Sequence, residues 1–261
     1  MAKEKDRGNL RENENPDMII GRNAASEALS SGRPIDSVLV TRGEKNGSLG
    51  RIIARCKEKG IVIKEVDGKK LDTMCSGENH QGIIMFAAAH EYASIDDMFK
   101  LAEERNEDPF IIILDELEDP RNLGAIVRTA ETAGAHGVII PRRRSASLSF
   151  SVAKTAAGAL EYVPVAKVAN LPGTIDDLKK RGLWIYGADM EGTTWCSQDY
   201  KGAVGLVIGS EGNGIGRLVK EKCDFIVSLP MKGKITSLNA SVAAGILMYE
   251  ISRQRSDIKA K

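Results

Sequence analysis

From residue 18 onward, short apolar runs alternate with stretches in which apolar residues recur every third or fourth position, a pattern that predicts strands separated by helices. The run MII at 18–20 reads as a strand, NAASEALSSG as a helix stopped by Gly32, and the β-branched run SVLVT as the next strand. A second helix is predicted from Leu49 to Lys59, closed by Gly60. The strand IVIKEV follows, and after a polar Ser-Gly-Glu-Asn-His turn at 76–80 the run GIIMFAAA completes the segment. Residues 17–89 are therefore expected to form one small α/β unit. The amphipathic stretch SIDDMFKLAEERNED, which ends before Pro109, suits a helical linker over 90–108.

A different pattern governs 109–255. The runs FIIIL, GVIIP, LWIYGA, AVGLVIG and FIVSLP lack polar alternation and are separated by helical patterns, so they predict a mostly parallel sheet with helices on both faces. Such runs are expected inside the sheet rather than at its edges.

At 261 residues the chain has room for one or two domains, and 42% hydrophobic with 28% charged residues excludes a wholly disordered or low-complexity protein. Residues 1–16 are charged and poor in apolar groups, which predicts a mobile tail, and the basic end at 256–261 is expected to fray. Lys and Arg total 37 against 36 Asp and Glu, so a polyanionic partner must be held by a local basic patch. Cys56, Cys75, Cys196 and Cys223 form no C-x-x-C pair, which argues against a zinc site or a disulfide framework and for reduced thiols in the cytoplasm. With no leader and no run near the roughly 18 apolar residues a membrane span needs, neither secretion nor membrane insertion is expected.

Three segments carry candidate chemistry. In DPRNLGAIVRTAETAG (119–134), Pro120 and Asn122 mark a turn and a helix N-cap, while Leu123, Ile126, Val127 and Ala130 form one apolar stripe. At about 100° per residue, Arg128 lies roughly 140° from Leu123, off the core face, where it is free for a ligand or for a surface pair with Glu131. In LVIGSEGNGIG (206–216) a buried strand runs into a glycine-dense turn that permits positive φ and close backbone approach, with the acid Glu211 inside it. The spacing fits neither G-x-G-x-x-G nor a Walker loop, and a plain turn would also account for it. In LPMKGKITSLNASVAAG (229–245), Ser237 and Asn239 stand where side chains cap a helix or free N–H groups bind anions, and the small residues that follow leave a helix face open to close packing. Arg142, Arg143 and Arg144 follow GVIIP, and Arg121, Lys154 and Lys232 occupy other positions near strand ends; in a parallel sheet these share one edge, where they would meet a phosphate backbone or simply solvent.

In order and spacing, the three segments resemble the motifs of the SpoU, or TrmH-type, RNA ribose 2′-O-methyltransferases, most nearly the RlmB-like branch acting on guanosine in 23S ribosomal RNA. The resemblance covers nearly the whole chain after residue 17. It implies a SPOUT-type trefoil-knotted sheet preceded by an L30e-like RNA-binding domain, an S-adenosylmethionine cofactor, a homodimer with a composite site, and 23S ribosomal RNA as partner. By position, Asn122 and Arg128 match functional residues of the first motif, Glu211 the acid of the second, and Ser237 and Asn239 the polar pair of the third. Ile208, Gly209, Leu229, Met231 and Leu238 fall where the cofactor is held. Arg121 stands where some relatives have His, and Ala240 where Val is usual.

Such a reaction needs a developing charge on a weakly acidic hydroxyl to be stabilised, and no metal. A guanidinium scarcely loses its proton, so Arg128 is expected to bind phosphate and stabilise charge rather than act as base. His80 and His90 lie outside the catalytic half and His136 follows a turn before a strand, so no histidine offers a competing base. The alternatives are a transfer-RNA ribose methyltransferase and a non-catalytic RNA-binding or ribosome-assembly protein.

Overall fold

The computed structural model describes residues 17–43, 47–75 and 78–256, which fall into two compact units divided between Ala88 and Ala89. The predicted tail at 1–16, Ser76 and Gly77 of the predicted turn, and residues 257–261 lie outside the described residues.

In the first unit, β1 (Met18–Ile20), α1 (Arg22–Ser30), β2 (Ile35–Thr41), α2 (Gly47–Glu58), β3 (Val62–Val66), α3 (Gly68–Met74) and β4 (Ile83–Ala87) build a sheet of order β1-β4-β2-β3. Strands β2 and β3 run parallel and the other pairs antiparallel. Successive side chains leave a strand on opposite faces. Val38, Val40, Ile83 and Met85 accordingly pack with α1 and α2, while Leu39 and Ile84 pack with Leu71 and Cys75 of the α3 segment. Helix α3 was not among the expected elements, because seven residues are too few to show a period; Asp67 caps it, accepting the Lys69 N–H at 3.0 Å.

The second unit opens with α4 (Ile95–Arg105), so the stretch expected to link the units belongs to this one. Its Met98 is fully buried against Ile111, Ile113 and Ile139, and a capping box between Ser94 and Asp97 starts the helix. There follow β5 (Phe110–Leu114), α5 (Pro120–Thr132), β6 (Gly137–Pro141), α6 (Phe150–Ala156), β7 (Val165–Val168), α7 (Leu171–Lys180), β8 (Trp184–Thr194), β9 (Val204–Ile208), α8 (Arg217–Lys220), β10 (Phe225–Ser228) and α9 (Ala240–Arg255). The strands form a parallel sheet of order β10-β8-β9-β5-β6-β7. Phe110, Ile112 and Leu114 pack with α5, α6 and α9 on one face, and Ile111 and Ile113 with α4 and α7 on the other.

Two edges differ from expectation. Strand β7 is four residues long and carries Lys167 in its middle, too short and too polar to register as an apolar run. The run FIVSLP, expected inside the sheet, is the edge strand β10; Phe225 offsets its exposure by stacking on Tyr186 with ring centroids 4.9 Å apart. Because the strands are parallel, their carboxyl ends share one edge, and the loops after β5, β8, β9 and β10 open there.

Candidate active site

Helix α5 begins at that edge. Its N-cap is Asp119, not Asn122 as expected: Asp119 Oδ1 accepts the Arg121 N–H at 2.8 Å, and Pro120 takes the first helical position, where no N–H is missed. Asn122, one turn in and only 5% exposed, is thereby free to bond elsewhere. Its Nδ2 donates to Glu211 Oε1 at 2.7 Å. Asn239 caps α9, its Oδ1 accepting the N–H groups of Ser241 at 3.0 Å and Val242 at 3.3 Å. The Asn239 amide nitrogen donates to Asn122 Oδ1 at 3.0 Å and to Glu211 Oε1 at 2.7 Å. One carboxylate oxygen thus collects both amides, and Glu211 Oε2 has no hydrogen-bond partner among the described residues. The N-terminal turns of two helices thus meet at this acid.

The turn holding Glu211 is closed by reciprocal backbone bonds, Ser210 N–H to Gly214 O at 3.0 Å and Gly214 N–H to Ser210 O at 2.9 Å. Of its glycines only Gly214 uses a positive φ, +63°. Gly209 serves by size: a Cβ there would sit 2.1 Å from the Gly214 carbonyl carbon, so any larger residue collides with backbone. Asp115, buried at the end of β5, pins the far side of the turn, its Oδ2 accepting the Gly216 N–H at 2.8 Å. Burial pushes the Asp115 carboxyl above its ordinary range, against the pull of that N–H.

Between this turn, the β8 end and the approach to α9 lies a cavity of about 430 Å³, of small-molecule size. Ile208, Val227, Leu229, Leu238 and Leu247 give it apolar walls, and Glu211, Ser237 and Asp189 add polar groups.

Residues 109–249, over half of the chain, match the model of the SpoU rRNA Methylase family, and residues 18–93 match that for RNA 2′-O ribose methyltransferase substrate binding. This chain belongs to the SpoU rRNA methylase family. A TrmH-family tRNA/rRNA methyltransferase of Bacillus subtilis, YacO, is 51% identical over 243 residues, covering 93% of this chain and 97% of the relative. The fold is shared with the SpoU methyltransferase AviRb of Streptomyces viridochromogenes, solved in complex with AdoMet, at a TM-score of 0.58 and 22% identity over 92% of this chain and 90% of that one. The TrmH/SpoU tRNA modifying enzyme of A. aeolicus aligns at a TM-score of 0.53 and 28% identity over 62% of this chain and 84% of that one. The SPOUT-type α/β fold read from the sequence is the one this chain adopts.

The SpoU chain brings Asn122, Glu211 and Asn239 into one hydrogen-bonded cluster, and Ile208, Gly209, Leu229, Met231, Ser237 and Leu238 all line the cavity beside it. It does not bring Arg128 there. That side chain is exposed on α5, outside the cavity lining and without a hydrogen bond or ion pair among the described residues, the pair with Glu131 included. Of the basic residues, Arg121 lies 4.0 Å from Asp119, Arg144 bonds Glu116 at 2.8 Å, and Arg142, Arg143, Lys154 and Lys232 are exposed. Asp189 and Met190 line the cavity without having been expected: nothing in the local pattern LWIYGADM shows that the β8 end meets the glycine turn. Among the described residues no group of three or more His, Cys, Asp or Glu side chains is placed to hold a metal.

Proposed function

We propose that this chain transfers the methyl group of S-adenosylmethionine to the ribose 2′-hydroxyl of a guanosine in 23S ribosomal RNA, acting as a homodimer in the cytoplasm. The observation that carries the reading is the meeting of Asn122, Glu211 and Asn239, from three distant segments, beside a cavity with apolar walls. The residues present fit the cofactor: the missing Cβ at Gly209 keeps the turn tight, and the apolar walls suit a flat base. When bound, it supplies an electrophilic methyl group. Ile208, Gly209, Leu229, Met231 and Leu238 would hold it.

The chain's own residues have a separate task. A ribose hydroxyl is a weak acid, so the charge developing on its oxygen needs fixed donors. Asn122 and Asn239 hold Glu211 in place, and its unpartnered oxygen is available to orient a cation. Arg128 supplies that cation from another chain. On α9, Val242, Ile246 and Tyr249 form an exposed apolar stripe at helical spacing, as a second copy would cover. A Cβ on Gly245 of α9 would touch the Thr129 methyl at 3.8 Å, so α9 packs beside α5 at the residue next to Arg128. Docked copies would carry the Arg128 of one chain toward the Glu211 of the other. Arg121, Arg142, Arg143, Arg144, Lys154 and Lys232 would steady the RNA backbone.

The 23S target rests on the first unit, which matches a substrate-binding family model, while the names of relatives span both tRNA and rRNA. Mapping 2′-O-methyl groups in both RNAs from cells with and without the protein tests the reading. Loss of one methylated guanosine in 23S ribosomal RNA is expected. Loss confined to transfer RNA moves the target there, and no loss at all favours a non-catalytic assembly role.

A further inference from the structure

Asp189 stands where β8 leaves its pairing with β9, just past the Ala188–Ile208 pair, and lines the cavity. Its Oδ1 accepts the Glu191 N–H at 3.1 Å and its Oδ2 lies 3.1 Å from the Lys220 ammonium. The same Oδ2 would be 3.8 Å from a Cβ on Gly214, which places it against the turn that carries Glu211. Burial alone would raise the Asp189 pKa, but the Glu191 N–H, Lys220 and the Met190 N–H outweigh it and hold the carboxyl below its ordinary range. The group is therefore an ionised, acceptor-only carboxylate with lone pairs to spare.

A carboxylate on a largely apolar wall costs desolvation energy unless it takes charge-assisted hydrogen bonds. Lys220 neutralises the pair as seen from a distance, which removes the long-range pull on an ammonium or sulfonium and leaves the short-range demand for uncharged donors. The vicinal hydroxyls of a ribose are such donors. They also connect the two halves of a nucleoside cofactor, the base suited to the apolar walls and the reacting end directed to the Glu211 side.

We infer that Asp189 is a positioning residue that accepts the ribose hydroxyls of the nucleoside cofactor, a role resting on the cofactor reading above. Calorimetric binding of S-adenosylhomocysteine and of its 2′,3′-dideoxyribose analogue to the full chain tests it. Unmodified protein is expected to bind the hydroxylated ligand about tenfold more tightly. Asp189→Asn and Asp189→Ala should erase that preference by weakening S-adenosylhomocysteine alone. Equal weakening of both ligands by the Asp189 variants, or no preference in the unmodified protein, overturns the inference. Unmodified protein that binds neither ligand overturns the cofactor reading itself, and this role with it.

Discussion

The two ends of the six-stranded sheet each carry a cluster of polar side chains, but one is complete and the other is not. At the amino end, fully buried His136 accepts the Phe110 N–H at Nδ1, 2.9 Å away, and its Nε2 faces Glu107 Oε2 at 3.1 Å. Arg255 donates to the carbonyl oxygens of Gly202 and Asp108, and Gln254 bridges the Tyr200 N–H and the Gln198 carbonyl, both at 3.0 Å. At the carboxyl end Glu211 Oε2 and the Ser237 hydroxyl have no partners among the described residues, and the Arg128 guanidinium, further along α5, has none either. The amino end nevertheless borders the larger cavity, about 740 Å³ against about 430 Å³. Volume does not separate the two ends in the way that spare hydrogen-bonding capacity beside apolar walls does.

The contrast breaks if substitutions at the two ends behave alike. The largest effect belongs to Gly209→Ala, whose Cβ has nowhere to go: a stability loss of about 3 kcal/mol or more in urea unfolding and loss of S-adenosylhomocysteine binding are expected. Next comes His136→Ala at the complete end. It strands the Phe110 N–H and leaves a cavity, costing about 2–3 kcal/mol of stability, yet methyl transfer per folded molecule should stay unchanged. A fall in turnover without loss of stability would erase the distinction between the ends.

The smallest effect is a pH slope. Burial holds the His136 imidazole below its ordinary value of 6.5, against the pull of Glu107. As pH falls below that value the unfolded chain takes up a proton that the folded chain refuses, so stability declines toward acid, by at most about 1.4 kcal/mol per pH unit. Denaturation series between neutral and mildly acidic pH should show this slope in the unmodified protein and a shallower one in His136→Gln.

The interior strands were legible because burial on both faces writes itself as unbroken apolar runs, FIIIL and AVGLVIG above all. Short elements were not: α3 depends on the Asp67 cap and Leu71, and β7 is a four-residue strand at the sheet edge. At the site, each segment alone was ambiguous, and it was the resemblance of the three to the SpoU motifs that grouped Asn122, Glu211 and Asn239, which the structure places in one hydrogen-bonded cluster. Sequence spacing misplaced the α5 cap, because Asp119 and Asn122 are both capping residue types and only the backbone shows which one starts the helix. Asp189 was invisible for another reason: its meeting with the glycine turn is set by tertiary register, not by its neighbours in the chain.

The central claim is that a methyl-transfer site at the carboxyl end is completed by a second copy of the chain. Arg128→Ala and Glu211→Gln should each be inactive alone and still fold. Mixed in equal amounts under conditions that let subunits exchange, they should form hybrid dimers with one intact site, and about a quarter of the normal ribose 2′-O-methylation should return. No recovery, with hybrid dimers shown to be present, would place both residues in one chain's site and contradict the account.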